Sequence, residues 1–230
     1  MFERAIDQIV VSGSQKEQMI DILAMIHLHR FGRLTHPGHG FYIEAGAARP
    51  LLNSNTWFFQ NNFGWKGVLI EPNPEFIAYH KKDNPRYQSP HRPFFFPYAL
   101  GTKHAKMRFS RHNIGETSQM VGAPKQKPLI KFHKVEEVTV QTRHIEDILL
   151  EADAPQVIDF VSLDIEGMEL QVLPTFFEHN RTYRLFCVET IRVGVDAVHD
   201  LIKKHDYICV GHTANKQNHF YTPHPNRLQA

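Results

Sequence analysis

Phe41-Tyr42-Ile43-Glu44-Ala45-Gly46-Ala47 is an apolar run that ends in one acid and then passes into small residues. Gly67-Val68-Leu69-Ile70-Glu71-Pro72 repeats the arrangement, with its acid 27 positions further on (71 − 44). That interval is about the length of one strand–helix–strand unit. A third run, Val157-Ile158-Asp159-Phe160-Val161-Ser162-Leu163-Asp164, leads into the acid cluster Asp164-Ile165-Glu166-Gly167. Runs this apolar suit strands covered on both faces. Three of them ending in carboxylates predict an open α/β sheet whose strand ends hold a nucleoside.

Outward from these runs, strands are expected near 41–45, 67–71, 94–99, 157–164, 184–189, 206–211 and 217–222. Helices are expected near 54–63, 74–82, 143–152, 167–178 and 194–204. Such alternation favours a parallel sheet with helices on both faces. Only Gly211 to Gln217 separates the last two strands, too little for a helical crossover, so they should form an antiparallel hairpin. The expected fold is α/β and Rossmann-like, a seven-stranded mostly parallel sheet ending in a C-terminal antiparallel hairpin. Residues 1–40 read as an N-terminal helical extension, with capping-box spacing from Ser14 to Glu17 and a stripe through Met19, Leu23 and Ile26. Residues 41–230 read as one domain, interrupted at about 102–135 by an insertion in which Gly115, Gly122, Pro124 and Pro128 break any long element.

A chain of 230 residues can bury a sizeable core and one deep crevice. Hydrophobic residues at 42% and charged residues at 22% are ordinary for a globular protein. A net charge of +2 gives little general attraction for nucleic acid or anionic membrane. The basic residues Lys103, Lys106, Arg108 and Arg111 lack the interleaved aromatics of a nucleic-acid surface. No apolar run reaches the roughly 18 residues that cross a bilayer, and the first ten residues lack a secretory pattern. A cytoplasmic enzyme is the expectation. Cys187 and Cys209 lie in apolar runs and read as small buried hydrophobes.

A carboxylate at the end of the second strand can accept two ribose hydroxyls at once, which nominates Glu71. The first loop has only Gly46 where a dinucleotide fingerprint needs three glycines, so a nicotinamide-dependent oxidoreductase on a Rossmann-like sheet is the weaker alternative. His36 with His39, and His219 with His224, lack a third zinc ligand in sequence.

The three runs, together with Ser54-Asn55-Thr56, Gly64-Trp65-Lys66 before the second run, Asn73-Pro74 after it and Met168-Glu169 after the third, resemble the FkbM-type methyltransferases in order and spacing from about Phe41 to Tyr221. The resemblance implies a class I fold and an S-adenosylmethionine-dependent enzyme that methylates a hydroxyl on a small molecule, sugar or lipid. It implies that Glu44 and Gly46 form the first cofactor loop, and that Ala47, Ser54 and Asn55 also bind the cofactor. It assigns the ribose to Glu71 and Pro72, the adenine pocket to Ala99 and Leu100 at the end of the third strand, and the methionine end and reaction centre to Asp164 and Glu166. Acidic walls there suit the cofactor's cationic sulfonium and ammonium groups. One departure is Ala48-Arg49-Pro50 in the first loop, where proline fixes φ and removes an N–H.

Methyl transfer needs alignment and removal of one proton. Asp164 and Glu166 are candidate bases, and His112 in the insertion is better tuned to neutral pH. Asp164 with Glu189 at the end of the next strand would suit Mg²⁺, which acidifies a bound hydroxyl. A third reading is a non-catalytic nucleoside-binding module with a degraded methyltransferase site, for which Arg49 and Pro50 speak. The acceptor and the oligomeric state are not written in the sequence.

Overall fold

The structure is a computed structural model that describes residues 19–80, 84–112, 119–120 and 135–225, with side chains at 111, 112, 119, 120 and 135 outside the description. Ser14, Glu17, Gly115, Gly122, Pro124 and Pro128 therefore lie outside the described residues, as does the His112 side chain.

The first half of the chain runs α1 (Ile20–Arg30), β1 (Phe41–Ala45), α2 (Trp57–Phe63), β2 (Lys66–Ile70), α3 (Pro74–Ile77), α4 (Pro85–Gln88), β3 (Phe94–Phe96) and β4 (Ala99–Leu100). Then come β5 (Ala105–His112), β6 (Gln119–Met120), β7 (Val135–Arg143), α5 (Ile145–Glu151), β8 (Val157–Ile158) and β9 (Phe160–Leu163). The chain ends with α6 (Glu169–Val172), a 3-10 turn (Leu173–Phe177), β10 (Thr182–Tyr183), β11 (Phe186–Glu189), α7 (Val195–Lys203), β12 (Tyr207–His212) and β13 (Asn218–Pro223).

Seven strands form the main sheet in the order β12-β13-β11-β9-β1-β2-β3. β1 pairs in parallel with β2 on one side and β9 on the other, and β11 continues in parallel from β9. β13 lies antiparallel to both β11 and β12, as the short final loop requires. Chain order reverses between β1 and β9, which places a crevice at the carboxyl ends of those two strands.

Alternation along the strands builds two cores. Ile43, Ala45, Val68, Val161, Leu163 and Val188 face α5, α7 and the 3-10 turn. Tyr42, Leu69, Phe160, Cys187 and Phe220 face α1 and α2 on the other side. There Phe59 stacks on Trp65 with ring centroids 4.7 Å apart. Buried apolar surface on both faces, at about 25 cal/mol per Å², is the main term holding the layers together. α1 supplies Ala24, Met25 and Leu28 to this second core, so this helix is part of the sheet's cover.

Three expectations change. The third strand ends at Phe96, because Pro97 offers no N–H to the ladder. Ala99 and Leu100 instead open a second sheet, β4-β7-β5-β6, pairing with Thr142 and Arg143 of β7. β5 and β7 are long partners from Ala105↔Thr142 to His112↔Val135, where short strands and loops were expected. On the outermost strand β3, Phe94 is 46% exposed, and on the opposite edge strand β12 Cys209 is exposed while Cys187 is buried. An edge strand leaves outward side chains uncovered, which apolar runs in sequence do not reveal.

Candidate active site

The register fixes which residues meet at the carboxyl edge. Ala45 is level with Ile70 of β2 and Leu163 of β9, and Leu163 is level with Val188 of β11. The next residue on each strand therefore lines one edge in the order Glu189, Asp164, Gly46, Glu71. Gly46 sits at φ 81° and donates its N–H to Ile70 O at 3.0 Å, with Ala47 N–H on the same oxygen at 3.1 Å. The turn after β1 is thus pinned to the end of β2.

Glu44 points away from this edge. It is 1% exposed and accepts from Ser54 Oγ at 2.8 Å, Asn55 N–H at 2.6 Å and Thr56 Oγ1 at 2.5 Å. Asn55 Nδ2 then donates to Ser162 Oγ at 3.0 Å. Arg86, fully buried, lies 3.6 Å from the Glu44 carboxylate and donates to Ser54 Oγ and Thr56 Oγ1, both at 2.7 Å. Its other bonds reach Pro50 O at 2.7 Å, Gln60 Oε1 at 2.8 Å and Tyr42 Oη at 3.3 Å. Glu44, Ser54 and Asn55 come together as a buried brace that shapes the segment after the first loop.

Glu71, 5% exposed, faces the edge. Oε2 accepts from Ala48 N–H at 2.9 Å and Oε1 from Asn73 N–H at 2.7 Å. Burial pushes its pKa up to about 7 against the pull of those two bonds, and the nearby Asp164 charge adds to the rise. Pro72 is half-buried beside it. The departure at Ala48-Arg49-Pro50 is held from both sides. Ala48 takes φ 38°, and its carbonyl accepts from His80 Nε2 at 2.9 Å. A carbonyl only accepts, so His80 carries its proton on Nε2 and its Nδ1 accepts from Tyr87 Oη at 2.6 Å. Burial lowers the His80 pKa to about 4, and its ring stacks on Phe95 at 4.1 Å.

A dense group of acids occupies the β9–β11 side. Asp164, Glu169 and Glu189 each bring one carboxylate oxygen within 4.8 Å of the others. Glu169 is fully buried and accepts from Ile165 N–H at 3.0 Å and from Gly167 N–H at 3.0 and 3.2 Å, so it shapes the turn that presents Asp164. Glu166, at φ 57°, pairs with Arg192. Burial followed by Asp164 repulsion raises Glu166 to about 8 despite that arginine. Glu169 rises to about 7 mainly through burial. Glu189 is pushed up to about 11 by burial and by Asp164, Glu166 and Glu169 in turn. Its Oε2 is buried without a hydrogen-bond partner among the described residues. Glu166 and Glu189 hold protons at neutral pH, and a cation placed beside them would take those protons' place.

The structure thus gathers Gly46, Ala47, Glu71, Pro72, Asp164, Glu166 and Glu189 along one edge and sends Glu44, Ser54 and Asn55 into the brace beneath it. Ala99 and Leu100 are buried at the start of the second sheet. Sequence reading missed Arg86 and His80, and gave Glu169 no role of its own. Only Glu169 had a signal, its place three residues past Glu166 in the acidic turn. Among the described residues no helix is long and apolar enough to cross a membrane.

The family model for the methyltransferase FkbM domain matches residues 44–209. No curated protein matches the sequence. Among solved structures, the chain is similar to methyltransferase FkbM from Methylobacillus flagellatus KT, with TM-score 0.53 and 15% identity over 95% of this chain. The chain spans 58% of that structure's length. It also resembles a precorrin-6y C5,15-methyltransferase from Geobacter metallireducens GS-15, with TM-score 0.47 and 10% identity over 91% of each chain. The O-methyltransferase from Bacillus cereus in complex with SAH matches at TM-score 0.46 and 10% identity, over 95% of this chain and 87% of its own. At 15% identity the likeness to the Methylobacillus flagellatus structure concerns the fold alone.

Proposed function

This chain belongs to the FkbM methyltransferase family, and from that premise we propose that it transfers the methyl group of S-adenosylmethionine to a hydroxyl oxygen of a small molecule, sugar or lipid. The observation that carries the reading is the convergence of Glu71, Asp164, Glu166 and Glu189 on one edge of the sheet around Gly46. When bound, the cofactor supplies an electrophilic methyl group on a sulfonium.

The residues fit that group. Each Glu71 oxygen holds one backbone N–H and keeps a lone pair for a ribose hydroxyl. Glycine at 46 leaves room between the first loop and the Asp164 backbone, where any side chain would collide. Asp164, joined by Glu166 and Glu189 once a cation displaces their protons, answers a cationic ligand with negative charge in a partly desolvated site, where such attraction is stronger than in water. Glu44 and Arg86 act as positioning residues for the 54–56 segment.

The acceptor oxygen must lose one proton as it forms its new bond to carbon. Glu166 fits the role of base once its proton is displaced by the cationic cofactor, because a carboxylate whose pKa is raised to about 8 is a stronger proton acceptor than an ordinary one. Asp164 and His112 are the other proposed bases. Ala99 and Leu100 belong to the same proposal as the adenine side of the site.

Isothermal titration of the folded chain with S-adenosylmethionine and S-adenosylhomocysteine tests the reading. Saturable one-to-one binding is expected, and failure of both to bind would overturn it. Transfer of labelled methyl to any acceptor in an extract would dispose of the non-catalytic alternative. The oxidoreductase alternative gains nothing from an antiparallel β13 and a single loop glycine.

One observation favours a metal-assisted version. Asp164 and Glu189 offer oxygen ligands suited to Mg²⁺, while Glu169 is committed to the turn. The ion would acidify an acceptor hydroxyl. Methyl transfer that survives a chelator unchanged would remove this version and leave the first intact.

A further inference from the structure

Away from the carboxyl edge, His144, Glu178 and His179 lie together where α5 begins and the 3-10 turn ends. We propose that these three side chains form a zinc site that clasps the start of α5 to the segment entering β10.

Their ligand atoms all lie within 4.8 Å of one another. A tetrahedral zinc ion, with bonds of about 2.0–2.1 Å, needs its ligand atoms about 3.4 Å apart. Glu178 and His179 are exposed and can close that gap by rotation about their side-chain bonds. Two imidazoles and one carboxylate are a borderline donor set that suits zinc, with the fourth position left to water on the exposed side.

The backbone is already fixed for this. Arg181 donates to Glu146 in two bonds of 2.7 and 2.9 Å and to Ala154 O and Pro155 O at 3.0 and 2.9 Å. That clamp holds the segment after His179 against α5. The His144 and His179 rings stand edge to face, 5.8 Å apart, and His144 Nε2 lies 3.1 Å from Glu178 Oε2.

Binding has a definite chemical consequence. His144 is the N-cap of α5, and its Nδ1 accepts the Glu146 N–H at 3.2 Å. The neutral ring therefore keeps its proton on Nε2, which donates to Glu178. Zinc binds Nε2 in place of its proton, and that proton moves to Nδ1, whose lone pair it takes up. The ring gains and loses no proton overall, but the Glu146 N–H loses its acceptor. Metal capture and helix capping compete for one imidazole.

The full chain is titrated with zinc chloride against a chromogenic chelator near neutral pH, beside His179→Ala and His144→Asn. Asparagine keeps an N-cap acceptor while removing the ligand. The wild type should bind one more zinc than either variant, the lost site weakening by more than about tenfold. Amide exchange at Glu146 should speed up with zinc in the wild type and stay unchanged in His144→Asn. Equal zinc binding by all three proteins, or a Glu146 amide indifferent to zinc in the wild type, would overturn the site. Zinc held elsewhere, by the acids at the sheet edge for instance, contributes equally to all three and cancels.

Discussion

Gly46 and Asp164 meet backbone to backbone: a Cβ added at Gly46 would fall 1.8 Å from the Asp164 carbonyl oxygen. The loop after β1 and the turn after β9 can approach this closely only because residue 46 has no side chain, and its φ of 81° demands the same thing. Gly46→Ala should force the two segments apart. We expect about 1–3 kcal/mol of lost stability in urea titration. We also expect loss of measurable S-adenosylhomocysteine binding under conditions where the variant remains folded. Unchanged affinity would mean that the contact does not shape the site.

Arg86 and Glu44 should behave as a unit. Removing the guanidinium leaves a carboxylate buried at 1% exposure with its charge unmatched. Arg86→Met should therefore cost about 3–5 kcal/mol, the usual range for stranding a buried ion. Glu44→Gln in the same chain should recover part of that loss. Chemical denaturation of the single and double variants measures the coupling, and additive effects would contradict it.

Glu71 ties folding to pH. Its carboxyl binds a proton more tightly folded, at about 7, than unfolded, near 4.5. Its stabilising contribution is full below about pH 4.5, declines as pH rises, and is gone above about pH 7, a difference of about 3 kcal/mol. His80 works on the acid side, because its pKa falls to about 4, so stability is lost as pH drops from 6.5 towards 4. Comparing wild type with Glu71→Gln between pH 5 and 8 isolates the first effect. The wild-type curve should fall with pH more steeply than that of the variant.

Asp164 should distinguish a sulfonium from a thioether. Asp164→Asn keeps the shape of the side chain and removes its charge. Binding of S-adenosylmethionine should weaken about tenfold more than binding of S-adenosylhomocysteine, equivalent to about 1.4 kcal/mol of lost charge–charge attraction. Calorimetry on both ligands reads the difference directly. Equal losses would show that Asp164 does not face the positive charge.

The sheet was readable because its strands are continuous apolar runs and its final loop is too short for a helix. The edge residues Glu71, Asp164 and Glu189 were readable because each closes such a run. Glu44 closes one in the same way, yet its carboxylate turns inward to Ser54, Asn55 and Thr56. Its ionic partner Arg86 stands 42 positions later (86 − 44), and only the folded chain brings them together. The resemblance places Ala99 and Leu100 at the end of the third strand, although Pro97 between them and Phe96 ends that ladder. The second sheet escaped notice because β5 and β7 are mixed in polarity and pair across the insertion. The zinc cluster draws one histidine from a helix cap and two residues from a turn 34 positions later (178 − 144), so no spacing rule exposes it.

Cys209, exposed on the rim of the sheet while the other cysteine is sealed in the core, gives this protein a natural attachment point for a single fluorophore. Burial of part of its surroundings raises its pKa, so maleimide coupling should be slow and best run at mildly alkaline pH. A dye there would sit on β12, beside the bulge between Cys209 and Gly211, and would report when the terminal hairpin peels away before the rest of the sheet.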